Sequence, residues 1–175
     1  MVSIFDLMEL LPGQKEKRTL LIQRFDEIEH VAHEAGNPIG AMLIDIDDFK
    51  WGINDAHGHQ FGDQVLLEVA ARLSTVARTD DVVVRFQSDE FVILPAHLRS
   101  IEDLETRAME ILRLFDMPII HDTITADVGV CIGMAMQEPG RQLWPLLAQA
   151  EEACWQAKRN GRGRASLYGS DWEAT

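Results

Sequence analysis

The run Ile39-Gly40-Ala41-Met42-Leu43-Ile44 is apolar without interruption and stops at Asp45. It is too short for a globular helix and has no polar face, which predicts a strand buried on both sides. Before it, from Thr19 to about Glu34, Ile22, Phe25, Ile28 and Ala32 recur at helical spacing, and Thr19 is the candidate N-cap. Residues 1–18 read as a lead segment broken at Pro12-Gly13. After the strand, residues 49–63 are polar and glycine-containing, and a helix is expected from about Gln64 to Ala77 on the stripe Leu66, Val69, Leu73, Val76. Two β-branched runs then flank Gln87-Ser88-Asp89-Glu90 between Val82 and Pro95, the pattern of a hairpin with two acids at its tip. A third helix from about Ser100 to Phe115 carries Ile101, Leu104, Ala108, Ile111 and Phe115 and is stopped by Pro118. A second hairpin joins Ile119–His121 to 124–136 through Asp122-Thr123, with Gly129 and Gly133 marking close backbone approach or a bulge. A fourth helix runs through Leu143, Leu146, Leu147, Ala150, Cys154 and Ala157 to Asn160-Gly161, and a short strand over 165–167 closes the pattern.

Helices alternating with strands and hairpins predict an α+β fold, a central, mainly antiparallel sheet with helices on both faces. The strand without a polar face belongs in the middle of that sheet. If it pairs with the hairpin, Asp45 comes close to Asp89 and Glu90. The chain has 175 residues, 46% of them hydrophobic, enough for one filled core. A formal net charge of -13 argues against nucleic acid as a partner and against anionic membranes. Without a signal-peptide pattern or an apolar run of about 18 residues, a soluble cytoplasmic protein without membrane insertion is expected. Cys131 and Cys154 lie far apart without metal-type spacing and read as reduced packing residues.

The plain reading of the hairpin tip is a solubilising turn. Clustered carboxylates, however, stay ionised together only when cations neutralise them, and an all-oxygen set favours Mg²⁺ or Mn²⁺. Such ions serve phosphoryl transfer. Lys50 could add charge near a phosphate, as could Lys158 and Arg162, four apart at the end of the last helix, where the plainer reading is a cationic last turn facing the helix dipole. Neither a P-loop nor a dinucleotide-binding glycine motif occurs. His57 and His59 lack the partners of a zinc site, and no nucleophile has a nearby base.

The stretch Asp45-Ile46-Asp47-Asp48-Phe49-Lys50, followed by Ile53-Asn54-Asp55-Ala56-His57-Gly58-His59-Gln60-Phe61-Gly62-Asp63, resembles the GGDEF domain of the diguanylate cyclase family. That family joins two GTP into cyclic di-GMP. Arg85-Phe86-Gln87-Ser88-Asp89-Glu90-Phe91 stands where the signature loop belongs, and Ala157-Lys158-Arg159-Asn160-Gly161-Arg162 is similar to the family's closing motif. The resemblance implies a nucleotidyl cyclase-like fold with a ferredoxin-like core over 19–168, with 169–175 as a tail or the start of a linker. It implies Mg²⁺ (or Mn²⁺) held by Asp45, the Ile46 carbonyl and Asp89, with Glu90 beside them. Asp89 would help deprotonate the attacking hydroxyl, and Lys50 would stabilise the transition state. Asn54 and Asp63 would read guanine, His59 would lie near the nucleoside, and Lys158 and Arg162 would contact phosphates. Arg78 and Asp81, in Arg78-Thr79-Asp80-Asp81, stand where the family binds its product at an inhibitory site; as a bare pattern they read as a helix-terminal Arg and a turn Asp. Family members act in bacterial signalling, require two facing domains for catalysis and often adjoin an output domain such as an EAL phosphodiesterase.

The departures from the family pattern shape the expectation. Both signature glycines are replaced, by Gln87 and Ser88, whose side chains fill space meant for GTP; a non-glycine residue forced to positive φ there costs roughly 1–2 kcal/mol. Trp51-Gly52 carries one residue more than the family spacing between Phe49-Lys50 and Ile53-Asn54-Asp55. The lead segment only faintly resembles the family's entry motif. The expectation is a degenerate GGDEF domain that binds GTP or cyclic di-GMP, or a protein, and regulates an output domain. The alternatives are an active cyclase and a ligand-free interaction module.

Overall fold

The computed structural model describes residues 14–175, so most of the lead segment lies outside the described residues. In chain order the elements are α1 (Gln14–Ala35), β1 (Ile39–Ile46), a π-helical turn (Phe49–Asn54), a single helical turn (Asp55–His57), α2 (His59–Val76), β2 (Val82–Arg85), β3 (Glu90–Leu94), α3 (Ile101–Leu114), β4 (Ile119–His121), β5 (Ile124–Ala126), β6 (Val130–Gln137), α4 (Leu143–Arg159), β7 (Ala165–Leu167) and β8 (Glu173–Ala174). Six strands form one sheet in the order β2-β3-β1-β6-β7-β8, antiparallel except for the β6–β7 pair. The α+β architecture with β1 at its centre agrees with the reading of the sequence, and all eight β1 residues are buried.

The period of two along β1 divides the core. Met42, Ile44 and Ile46 join Val65, Val69 and Leu73 of α2 and Leu104, Ala108 and Ile111 of α3 on one face. Ile39, Ala41 and Leu43 join Leu21, Phe25 and Ile28 of α1 and Leu146, Ala150 and Cys154 of α4 on the other. Gly133 of β6 makes the second contact possible: a Cβ there would stand 1.9 Å from the Ala150 carbonyl oxygen and 2.2 Å from the Cys154 nitrogen. The close approach expected at this glycine is therefore present.

Several boundaries differ from expectation. Helix α1 begins at Gln14, and the Thr19 hydroxyl donates to the Lys15 carbonyl at 2.9 Å from inside the helix instead of capping it. Lys15, Glu16, Lys17 and Arg18 are good helix formers with no breaker after them. The buried stripe of α1 runs through Leu21, and Ile22 is 38% exposed. Helix α2 starts at His59, because Phe61, Gly62, Val65 and Leu66 already face the core. The second hairpin ends at Ala126: β4 and β5 form a separate ribbon, and the chain enters the main sheet at Val130, opposite Ile46. The crossing is made at Gly129, whose carbonyl accepts from the Asp47 amide at 2.9 Å. Strand β8 adds an unforeseen edge to β7.

Candidate nucleotide and metal site

The acids converge because of strand register. Asp45 is paired with Glu90 across β1 and β3 and with Cys131 across β1 and β6, and the Ile46 amide donates to the Asp89 carbonyl at 3.1 Å. Alternation puts Asp45 on the same face as Leu43, under α4. There Lys158, one turn beyond Cys154, places Nζ 2.6 Å from Asp45 Oδ2. Asp45 is only 5% exposed. Burial foremost, together with Asp89 and Asp47, raises its carboxyl above the usual range against the pull of Lys158. Burial, then Asp45 and Asp89, raises Glu90 as well. Burial alone would lower Lys158, but its bond to Asp45 and the charges of Asp45 and Glu90 leave it raised.

The tip itself is braced from below. Arg85 donates through Nε and Nη2 to the Ser88 carbonyl at 3.0 and 2.6 Å, and the Phe86 amide donates to the Glu90 carbonyl at 2.8 Å. Neither Gln87 nor Ser88 adopts positive φ, so the backbone strain anticipated for them does not arise. The Ser88 hydroxyl donates to Asp89 Oδ1 at 2.6 Å and occupies an oxygen of the acid that the family motif assigns to metal.

The extra residue at Trp51-Gly52 is absorbed by the π-helical turn, closed by the Asp55 amide on the Lys50 carbonyl. The wider turn keeps Phe49 and Ile53 buried while Trp51 and Gly52 loop outward. Asp48 enters this turn in the left-handed region at φ 51° and pairs with Arg162, itself at φ 61°, at 2.9 Å. Asp47 accepts from the Gly163 amide at 2.9 Å and from Cys131 Sγ at 3.0 Å, tying the end of β1 to the loop after α4. Burial and the Asp47 bond push the Cys131 thiol up to about 12, and burial raises Cys154 too, so both are inert packing thiols. Asn54 packs against α2 at Gly62, where a Cβ would stand 1.9 Å from Asn54 Oδ1. His59 and Asp63 are exposed on the first turns of α2. Lys50 is exposed, and its Nζ lies 4.5 Å from the centroid of the Trp51 ring.

Arg78 and Asp81 are brought together differently. Asp81 is 5% exposed; its Oδ2 accepts from Arg107 Nη1 at 2.6 Å and from the Arg78 amide at 2.9 Å, and its Oδ1 accepts from the Ala96 amide at 2.9 Å. Its carboxylate thus serves the turn before β2. The Arg78 guanidinium points outward to Asp103 at 3.1 Å and is half exposed.

Residues 16–164 match the family model described as "Diguanylate cyclase, GGDEF domain". The chain belongs to the GGDEF family. It is 32% identical over 145 residues to the cyclic di-GMP phosphodiesterase PdeR of Escherichia coli, covering 82% of this chain and 22% of the relative. It is 33% identical over 148 residues to the response regulator PleD of Caulobacter vibrioides, covering 83% of this chain and 32% of the relative. Among solved structures, the GGDEF domain of PA1120 (YfiN or TpbB) from Pseudomonas aeruginosa superposes with a TM-score of 0.80 at 32% identity, covering 88% of this chain and 96% of that one. The GGDEF domain of DgcB from Caulobacter crescentus, in complex with c-di-GMP, gives 0.77 at 29% identity, covering 87% and 88%. The chain therefore spans between a fifth and a third of the length of these two curated relatives.

In this GGDEF domain the carboxylates of Asp45, Asp89 and Glu90 offer only oxygens, the donor type a hard divalent ion takes, and after burial Asp89 and Asp47 help to raise Asp45 while Asp45 and Asp89 help to raise Glu90. Among the described residues no group of three or more His, Cys, Asp or Glu is gathered closely enough to hold a metal unaided. No described helix is long and apolar enough to cross a membrane. The sequence reading missed Arg107, although an Arg between Leu104 and Ala108 in an apolar helix stripe is a signal for a buried ion pair. It also gave Asp47 no role, although alternation places it on the same side as Asp45.

Proposed function

We infer that this domain is a regulatory nucleotide-binding module of cyclic di-GMP signalling, one that takes GTP with Mg²⁺ beside Asp45, Asp89 and Glu90 and cyclises it poorly. The observation that carries this reading is the hairpin tip. The carboxylates and Lys158 are gathered at one end of the sheet, while Ser88, at the second former glycine position, is bonded to Asp89, and Gln87, at the first, is exposed. In this reading Asp45, the Ile46 carbonyl and Asp89 hold the ion, with Glu90 adjacent. When bound there, such an ion would supply the positive charge that neutralises phosphates and favours ionisation of an attacking hydroxyl. Asn54 and Asp63 contact guanine, His59 lies near the nucleoside, and Lys158 and Arg162 face phosphate once released from Asp45 and Asp48. The domain acts in the bacterial cytoplasm, as a homodimer or beside an output domain such as an EAL phosphodiesterase. The length of its relatives, three of them phosphodiesterases by name, supports an attached output. Cyclic di-GMP binding at Arg78 is the second reading, supported by its half-exposed guanidinium. Because the Asp81 carboxylate is already engaged, GTP is favoured.

Incubation with GTP and Mg²⁺ followed by chromatography should yield at most traces of cyclic di-GMP, while calorimetry should register GTP binding that requires Mg²⁺ and is lost in Asp89→Ala. Efficient turnover abolished by Asp89→Ala would overturn the regulatory reading. Binding of cyclic di-GMP abolished by Arg78→Ala would move the ligand to the second site.

A further inference from the structure

We propose that Trp51 is a positioning residue that holds Lys50 away from the nucleotide phosphates, so that the one-residue insertion acts as a brake on triphosphate binding. This rests on the reading of the acid cluster as a nucleotide site. Three features of the turn carry it. First, the insertion falls between Lys50 and Ile53 and leaves the core side of the segment intact, because Phe49 and Ile53 both stay buried across the wide turn. The added residue is expressed wholly on the outer side, where Trp51 is 71% exposed. The indole lies mostly in water, and its ring contact among the described residues is the Lys50 ammonium, 4.5 Å from the ring centroid. Second, the turn is fixed at both ends. The Asp48 to Arg162 ion pair holds its entry, the Gly52 amide donates to the Asp48 carbonyl at 2.6 Å, and the Asp55 amide on the Lys50 carbonyl holds its exit. The Lys50 backbone is therefore held where its side chain can lie along the indole. Third, the cation that acts on Asp45 and Glu90 is Lys158, and Lys50 forms no ion pair among the described residues. A lysine two residues from the Asp48 that pairs with Arg162, yet stacked on an exposed ring, is a charge kept out of use.

The consequence is a testable coupling between two side chains. Removing the ring frees Lys50 for an incoming triphosphate, and the gain should be roughly two- to five-fold in affinity, the size of an exposed cation–π contact. Calorimetry with GTP and Mg²⁺ would be run on the wild type, Trp51→Ala, Trp51→Leu, Lys50→Met and the Lys50→Met/Trp51→Ala pair. Both Trp51 variants should tighten binding, and Lys50→Met should cancel the gain in the Trp51→Ala background. A readout without nucleotide accompanies it: the Lys50 ε-methylene protons should be shifted upfield by the ring current in the wild type and return to ordinary values in Trp51→Leu. Unchanged affinity in both Trp51 variants, a gain that survives Lys50→Met, or unshifted Lys50 protons in the wild type would each overturn the proposal. Efficient cyclic di-GMP production by the wild type would instead sink the regulatory reading and leave the coupling to be judged by the same cycle.

Discussion

At the end of β1 a step of one residue separates core from chemistry: Ile44 and Ile46 face α2 and α3, and Asp45 between them faces α4 and Lys158. Glu90, directly opposite on β3, shares that face and is raised from its ordinary 4.5 by burial, then by Asp45 and Asp89. The folded state therefore keeps this proton to higher pH than the unfolded chain does. Its ionisation costs stability, with no cost below the ordinary value and the full cost above the raised one. Glu90→Gln should accordingly raise the Tm at pH 7, and the advantage over wild type should vanish as the pH is lowered through about 4.5. Thermal scans across pH 3–8 check this (a range set by ordinary carboxylate titration); a lower Tm for the variant at pH 7 would show that the carboxylate is favourably bound. That Asp45, Asp89 and Glu90 belong together was readable from the two apolar arms and the uninterrupted strand. That Ser88 bonds to Asp89, and that Lys158 reaches Asp45, depends on side-chain directions that no spacing specifies.

At the scale of elements, two contacts between helix and sheet hold the site in place. Gly133 lets α4 lie against β6, and through it Lys158 reaches β1. Gly133→Ala forces a methyl onto the backbone of α4 and should cost about 1–3 kcal/mol or more in urea unfolding, with weaker GTP binding from the displaced Lys158. Helix α3 is fastened to the turn before β2 by Arg107 on Asp81, both nearly inaccessible. Arg107→Met leaves a buried carboxylate without its cation and should cost about 3–5 kcal/mol, while Asp81→Leu/Arg107→Met should recover much of the loss. A double variant as unstable as the single one would show that the Ala96 and Arg78 amide bonds to Asp81 matter more than the pair. The π-helical turn and β8 were not legible, whereas the types of the four long helices and of the strands from β1 to β7 were, because alternation and the 3.6-residue stripe are local properties. Their ends were less so: His59 to Asp63 reads as polar loop, yet it forms the first turns of α2, because Gly62 leaves room for the Asn54 side chain.

At the scale of the molecule, a chain of net charge -13 gathers Lys158 and Arg162 beside its acids and binds both to carboxylates in the structure described. In the proposed reading a nucleotide with Mg²⁺ displaces those internal pairs, and a ligand that binds the folded state selectively stabilises it. At a concentration of about 100 times Kd, GTP with Mg²⁺ should add about 2.7 kcal/mol, a Tm rise of roughly 5–10 °C for a domain of this size. Asp45→Ala should abolish the rise, and GTP with excess chelator should give little. An equal rise without Mg²⁺ would assign binding to the cations alone.

The amino-acid sequence alone determined the α+β class, the central strand, the hairpin tip and membership of the acids in one cluster, because each follows from local periodicity or from a motif with many fixed spacings. Only the tertiary structure decided how the polar side chains around the tip and the inserted turn are held. Gln87 and Ser88 sit without positive φ, the inserted residue becomes a π-helical turn, Lys50 rests on Trp51, and Asp81 turns inward to Arg107. The physical reason is one of range. Periodicity is set by neighbours in the chain, whereas the direction of a polar side chain is set by whichever charge or ring the folded chain brings within about 3–6 Å of it.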